Sequence, residues 1–144
     1  MHQLGIKNMA ISTTEKVQLS DDWIQYRNWV TPIAIVQLIK LFYAGHILNN
    51  KNSSLLLDMM IHSVPGSKRL KGYSPAGAVV ARKPGTSRTS NGLTRATNDV
   101  GIITLPNGKH LLIAVFIADA YGTTEEREGI IAQIARFFWD GFGN

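Results

Sequence analysis

The chain contains no cysteine. Disulfide cross-links, thiol catalysis and thiolate metal sites are therefore excluded together. The absence says nothing about compartment. Histidine is scarce: His2, His46, His62 and His110 are scattered, and none lies at a zinc-like spacing from another. No metal and no cofactor is expected. Long apolar runs are also missing. The longest, Leu111–Ala118, falls far short of the roughly 18 residues that a spanning helix needs, so no membrane partner is expected. The opening Met1-His2-Gln3-Leu4-Gly5 has no basic n-region and no apolar stretch, and no secretory signal is expected there. Acidic residues are the minority charge, 10 against 15 Lys and Arg, which leaves a net +5. That excess permits an anionic partner (nucleic acid, an anionic membrane or a small carboxylate) without demanding one.

What is present fits one domain: 144 residues, 44% hydrophobic and only 17% charged, a balance that excludes disorder as the default. No internal repeat and no low-complexity segment occurs. Residues 8–28 are polar and weakly periodic and read as a long loop, a length more often functional than idle. Thr31-Pro32 supplies an N-cap and a first-turn proline, and Ile33, Val36, Leu38, Ile39 and Phe42 follow at helical spacing until Gly45. Ser53 can cap a second helix carrying Leu55, Leu56, Met59 and Met60, ended by Val64-Pro65-Gly66.

The second half changes character. Ala78–Ala81 and Val100–Leu105 read as strands, Pro106-Asn107-Gly108 as a turn, and His110–Ala118 as a third strand, so the last two form a hairpin. The unbroken apolarity of the third implies burial on both faces. Thr124-x-x-Arg127 opens a final helix with Glu125, Glu126 and Glu128 near its positive end, and Ile130, Ile131, Ile134, Phe137 and Phe138 form its stripe. Helices, an antiparallel sheet and a closing helix make an α+β pattern. The expected parts are 1–30 (end of a helix plus a loop), 31–72 (helices) and 73–144 (three strands and the C-terminal helix).

Five blocks then occur in one order: Arg69-Leu70-Lys71-Gly72, Pro75-Ala76-Gly77, Lys83-Pro84-Gly85-Thr86-Ser87, Ala96-Thr97-Asn98-Asp99-Val100-Gly101 and Thr104-Leu105-Pro106-Asn107-Gly108. Together they resemble the C-terminal part of class A serine β-lactamases, above all the PER/VEB-like extended-spectrum subgroup. Glu15 and Gln25-Tyr26-Arg27-Asn28-Trp29 resemble that subgroup's Ω-loop. The resemblance runs from Met1 to about Asp140. It implies a partial β-lactamase/transpeptidase-like fold, periplasmic or secreted, acting on a β-lactam through an acyl-enzyme.

Of the family's motifs, S-x-x-K and S-D-N do not occur in the 144 residues, whereas the K-T-G position is present. Both absent motifs belong upstream by resemblance. The chain is expected to be a truncated half, inactive alone, with a missing N-terminal half as its partner. Glu15 matches the deacylating general base. Lys83 matches the K-T-G lysine that holds the substrate carboxylate. Arg69 matches a supporting guanidinium, Gly85 gives room for close approach, and Thr86, with Ser87 beside it, supplies an oxyanion-hole N–H. Two positions depart from the pattern. Leu19 replaces a water-holding side chain, and Pro84 replaces the Thr or Ser whose hydroxyl binds the carboxylate. The usual Ω-loop ion pair is replaced by Thr13 and Asn28, a departure that the subgroup shares.

From the residues alone, Glu15 beside Lys16 also reads as a solvated loop glutamate, and Arg82, Lys83, Arg88 and Arg95 as an exposed basic surface. Tyr26-Arg27-Asn28 spells the class C Y-x-N, but it lies within the Ω-loop match. Trp23, Trp29 and Trp139 near basic residues could stack on nucleic acid. Core packing of Trp29 and Trp139 is the better reading, and no nucleic-acid partner is expected. Two rivals stand beside the hydrolase: a non-catalytic remnant that binds carboxylates weakly, and a fragment of a penicillin-binding transpeptidase.

Overall fold

The computed structural model describes residues 4–18 and 23–143. Leu19 lies outside the described residues, and so does the Glu15 side chain. The span read as one long loop holds three short elements: β1 (Met9–Ala10), α1 (Glu15–Gln18) and a 3₁₀ turn (Ile24–Arg27). β2 (Trp29–Val30) pairs antiparallel with β1 and closes this segment into a loop with a paired base.

Helix α2 (Pro32–Tyr43) begins as its sequence dictates. The Thr31 hydroxyl accepts the Ala34 N–H at 3.3 Å, and Pro32 occupies a position whose N–H would be unbonded anyway. Helix α3 (Asn50–Ile61) corrects the expected cap. Asn49, not Ser53, does the capping: its Oδ1 accepts the Asn52 N–H at 2.9 Å, and Ser53 sits inside the first turn. Both residue types can cap, so only the observed bond decides between them.

The second half builds a four-stranded antiparallel sheet from β3 (Val80–Thr86), β4 (Thr89–Ser90), β5 (Leu93–Thr104) and β6 (His110–Ala120). β5 is central, with β3 and β4 on one side and β6 on the other. The expected hairpin is present, with Thr104 opposite His110 across the Pro106-Asn107-Gly108 turn. The strand read as Val100–Leu105 begins seven residues earlier, at Leu93, because the polar stretch Thr94–Asp99 is paired on both sides.

Helix α4 (Thr124–Phe142) is capped one residue before the expected start. Thr123 and Glu126 form a reciprocal capping box, Oγ1 accepting the Glu126 N–H at 3.1 Å and Oε2 accepting the Thr123 N–H at 2.7 Å.

Alternation along the strands divides the core between two faces. Val80, Ile103, Ile113 and Val115 turn toward α4 and meet Ile131 and Ala135. Ala81, Ile102 and Leu112 turn toward α2 and α3 and meet Ile39, Phe42 and Met60. The architecture is three layers; β6 buries Ile113 and Val115 toward α4, whereas Leu112 on its other face is only partly buried, short of the burial on both faces that its apolarity implied. Some expected core residues are exposed. Ile130 and Phe137 lie seven apart on the outward face of α4, and Ile33 yields the inward position on α2 to Ala34. Gly101 is needed where β3 crosses closest: an added Cβ would lie 2.3 Å from the Ala81 carbonyl oxygen.

Among the described residues no helix is long and apolar enough to cross a membrane. Among them, too, β6 pairs with no strand but β5. Its outer edge is long, and from His110 to Ala118 it carries no Asp, Glu, Lys or Arg to repel another strand. The isolated chain is expected to self-associate with rising concentration in sedimentation velocity. A monodisperse monomer with a cooperative melt would contradict this.

Candidate active site

β3 is the strand on which the candidate residues lie, and ladder parity fixes how each is presented. At one end the Thr104 N–H donates to the Val79 carbonyl at 3.0 Å, and at the other the Ser87 N–H donates to the Ala96 carbonyl at 2.9 Å. The register between them is unbroken. Bonded pairs alternate along an antiparallel ladder, so residues 81, 83, 85 and 87 bond inward to β5. Residues 82, 84 and 86 direct their backbone polar groups outward, to the sheet edge. Pro84 thus stands where its missing N–H removes no ladder bond, and the Thr86 N–H faces the open edge.

Side chains alternate as well. Lys83 is exposed, with its ammonium 2.9 Å from the Pro84 carbonyl. Arg82, expected on an exposed basic surface, is only 1% exposed. It turns to the opposite face, where the connection 62–72 covers it. Its guanidinium donates to the Ser63 carbonyl at 2.8 Å and pairs with the Asp99 carboxylate at 3.5 Å.

Asp99 is buried on β5, and its Oδ2 also accepts the Leu70 N–H at 3.2 Å. Its Oδ1 has no hydrogen-bond partner among the described residues. Burial accordingly pushes the carboxyl up from 3.8 to about 6, against the pull of Arg82, the Leu70 N–H and Arg69.

Arg69 is buried too, and its guanidinium gathers the cleft end of the strand. Nε donates to Glu128 of α4 at 3.1 Å. Nη1 donates to the Gly85 and Asn98 carbonyls at 3.0 and 2.8 Å, and Nη2 donates to the Thr86 hydroxyl at 2.6 Å. Arg127 completes the row, its Nε donating to the Thr97 hydroxyl at 3.0 Å and its Nη1 to the Gly122 carbonyl at 2.6 Å. These three guanidiniums lie behind the sheet. A run of Arg, Thr and Asp does not show which face will be buried, so sequence reasoning missed the network.

In front of the strand lies a cleft of about 340 Å³. Gly85, Thr86 and Ser87 line one wall, and Tyr26, Asn28 and Trp29 line the opposite one. Arg88 and Arg95 contribute positive charge, and among the described residues no Asp or Glu lines the cleft. A Cβ at Gly85 would meet nothing within 4 Å, so its absence leaves open space. Trp29 is half exposed at this wall, which corrects its assignment to the core; Trp139 does pack against the core. Of the candidates, Gly85, Thr86 and Ser87 come together at the cleft, Lys83 and Pro84 lie beside them on the strand, and Arg69 acts from behind.

The facing segment is held at its base without an ion pair. Asn28 Oδ1 accepts the Ser12 and Thr13 N–H groups at 2.8 and 3.0 Å, and its Nδ2 donates to the Thr13 carbonyl at 2.9 Å. Thr13 and Asn28 thus do with neutral hydrogen bonds what the absent ion pair would do with charge.

Comparison with known proteins gives a consistent result. The model of the β-lactamase enzyme family matches residues 1–142. The extended-spectrum β-lactamase PER-1 of Pseudomonas aeruginosa is 41% identical over 136 residues, covering 94% of this chain and 44% of that protein. The crystal structure of the extended-spectrum β-lactamase TLA-1 superposes with a TM-score of 0.96 at 47% identity, over 99% of this chain and 52% of that one. A class A β-lactamase from Bacteroides cellulosilyticus superposes at 0.92 with 31% identity, over 99% and 51%. The chain spans about half the length of the relatives it matches.

Asp99 yields a pH prediction. Its folded value of about 6 lies above the unfolded 3.8, so its contribution to stability is full below about pH 4 and is lost as pH rises through 6. Asp99→Asn is expected to remove that slope in urea unfolding at pH 5 and 7. At pH 7 it should also cost about 3 kcal/mol, because Arg82 stays buried without its counter-charge. An unchanged slope would place its source elsewhere.

Proposed function

The chain belongs to the β-lactamase enzyme family, in its class A branch, and on that premise we propose that it furnishes the substrate strand and Ω-loop of a serine hydrolase that opens β-lactam rings. The observation that carries this reading is the cleft itself. Gly85, Thr86 and Ser87 face Tyr26, Asn28 and Trp29 across a space to which Arg88 and Arg95 bring positive charge. A β-lactam carries an anionic carboxylate and develops an oxyanion on attack, and both suit such a wall.

In this reading Lys83 and Ser87 draw the substrate carboxylate toward the strand. The Thr86 N–H, turned to the open edge, receives the developing oxyanion, and Gly85 lets the ring approach the backbone. Arg69 does not touch substrate. It is a positioning residue, fixing the Thr86 hydroxyl and the Gly85 carbonyl from behind. Glu15 is the general base that takes a proton from the water attacking the acyl-enzyme, and Leu19 gives that water no hydrogen bond. The nucleophilic serine with its lysine, and the serine of S-D-N, come from the N-terminal half of the family's domain, which lies outside these 144 residues and which this reading requires. The assembled enzyme is periplasmic or secreted, where its substrates arrive.

The second reading, a non-catalytic half-domain that binds carboxylates weakly, is favoured by Pro84, which removes the hydroxyl that would grip the carboxylate. A transpeptidase fragment is disfavoured by Glu15 in an Ω-loop-like segment.

The 144-residue chain alone is expected to show no nitrocefin turnover above a Glu15→Ala control, since no S-x-x-K serine is present to be acylated. When it is reconstituted with a relative's N-terminal half, Pro84→Thr is expected to raise acylation efficiency. One regained charge-assisted hydrogen bond is worth about 1.5–3 kcal/mol, or roughly 10–100-fold. Leu19→Asn should instead speed deacylation. Burst kinetics separates the two steps, and unchanged acylation in Pro84→Thr would refute the placement of the carboxylate at this strand.

A further inference from the structure

The wall formed by Tyr26 has no covalent or strand connection to the sheet at its cleft end, yet one contact spans the gap. The Tyr26 hydroxyl donates to Asp119 Oδ1, 93 residues away near the end of β6. Between them, from the central strand, the Arg95 guanidinium lies 5.4 Å from the Trp23 ring centre and 5.8 Å from that of Tyr26. The two rings stand 5.9 Å apart and tilted, so the cation lies against both aromatic faces. Asp119 holds a left-handed backbone, φ +48°, in a strand where most residues could not. That conformation aims its carboxylate at Tyr26 and away from the ladder.

We propose that Tyr26, Asp119 and Arg95 form a strap that fixes the 3₁₀ turn Ile24–Arg27 over the cleft and so sets the cleft's width, with Tyr26 as a positioning and selectivity-determining residue. The proposal rests on the β-lactam reading only for what the cleft admits; the strap itself is independent of any ligand. The paired base of the segment, at β1–β2 and Asn28, anchors its ends. The strap fastens that turn at a second point. Since Tyr26 and Arg95 both line the cleft, the residues that fasten the turn also shape the space a substrate side chain enters.

The test is amide hydrogen exchange on the 144-residue chain, compared between residues 24–30 and the ladder residues 80–86 and 97–103. Tyr26→Phe keeps the ring, its packing on Arg95 and its wall position, and removes only the hydroxyl. It should speed exchange in 24–30 about tenfold while leaving the ladder within twofold, as loss of the hydrogen bond to Asp119 allows. Asp119→Gly, which suits the positive φ and removes the acceptor, should match it. Asp119→Asn retains an acceptor and the tolerance for that backbone, and should restore parental exchange. Unchanged exchange in Tyr26→Phe would overturn the proposal. So would equal acceleration in segment and ladder, or an Asp119→Asn variant as fast as Asp119→Gly. Because no β-lactam enters the measurement, a parent chain that binds none would count against the proposed function and leave this result standing.

Discussion

The buried pairing of Arg82 with Asp99 is the constraint on which the rest of the structure turns. An edge strand that presents chemistry to solvent has hydrogen bonds along one side only, and it must be held from behind. Here Val80 and Ala81 pack into the core, and the rest of the strand is held by charge. Arg82 binds the strand to the connection after α3, Arg69 binds it to α4, and Arg127 binds β5 to the start of α4. A guanidinium has donors in several directions, so each arginine joins elements that no single apolar contact would fix at one angle. Such a network adds little net stability, because burying the charges costs nearly what pairing them returns. Its effect is on geometry. With Arg69 reaching both the Thr86 hydroxyl and the Gly85 carbonyl, the cleft wall is set by the core side of the sheet.

The opposite wall is built on another principle. The described residues of 8–30 turn little apolar surface inward, and short local bonds hold them: two residues of strand pairing, the four-way bonding of Asn28 with Ser12 and Thr13, and the aromatic contact with Arg95. One wall is therefore held through buried ionic contacts, and the other has its base ordered by neutral bonds and its turn by the contacts of Tyr26 with Asp119 and Arg95. Since the Asn28 bonds carry no charge, acid does not release the base of the segment, whereas it does neutralise Asp99 behind the facing strand.

Much of this was legible in the sequence where a single residue type does a local job. Thr31-Pro32 cannot readily be anything but a helix start, and Pro106-Asn107-Gly108 between apolar runs reads as a hairpin. The five ordered blocks carried the family, and with it the strand on which Lys83, Gly85 and Thr86 lie. What escaped was any feature decided by which side of an element is covered. Arg82 and Lys83 are adjacent and chemically alike, yet one is buried and the other is in solvent, because strand parity and the overlying connection assign the faces. Trp29 looked like core because it is large and apolar, but its short strand pairs only with β1. Ser53 was read as the cap of α3, whereas Asn49 does the capping. Neighbouring residues of similar propensity differ only in the bonds that the fold lets them reach.

The ladder parity of β3 has a consequence for the chain's history. Position 84 faces outward at the edge, with no backbone bond to β5 that depends on its N–H. Residues with and without an N–H are therefore equivalent there as far as the ladder hydrogen bonds are concerned. A codon for proline differs from one for threonine by a single base. A lineage can pass between the two in either direction without losing a ladder hydrogen bond, so backbone pairing places no constraint on that exchange.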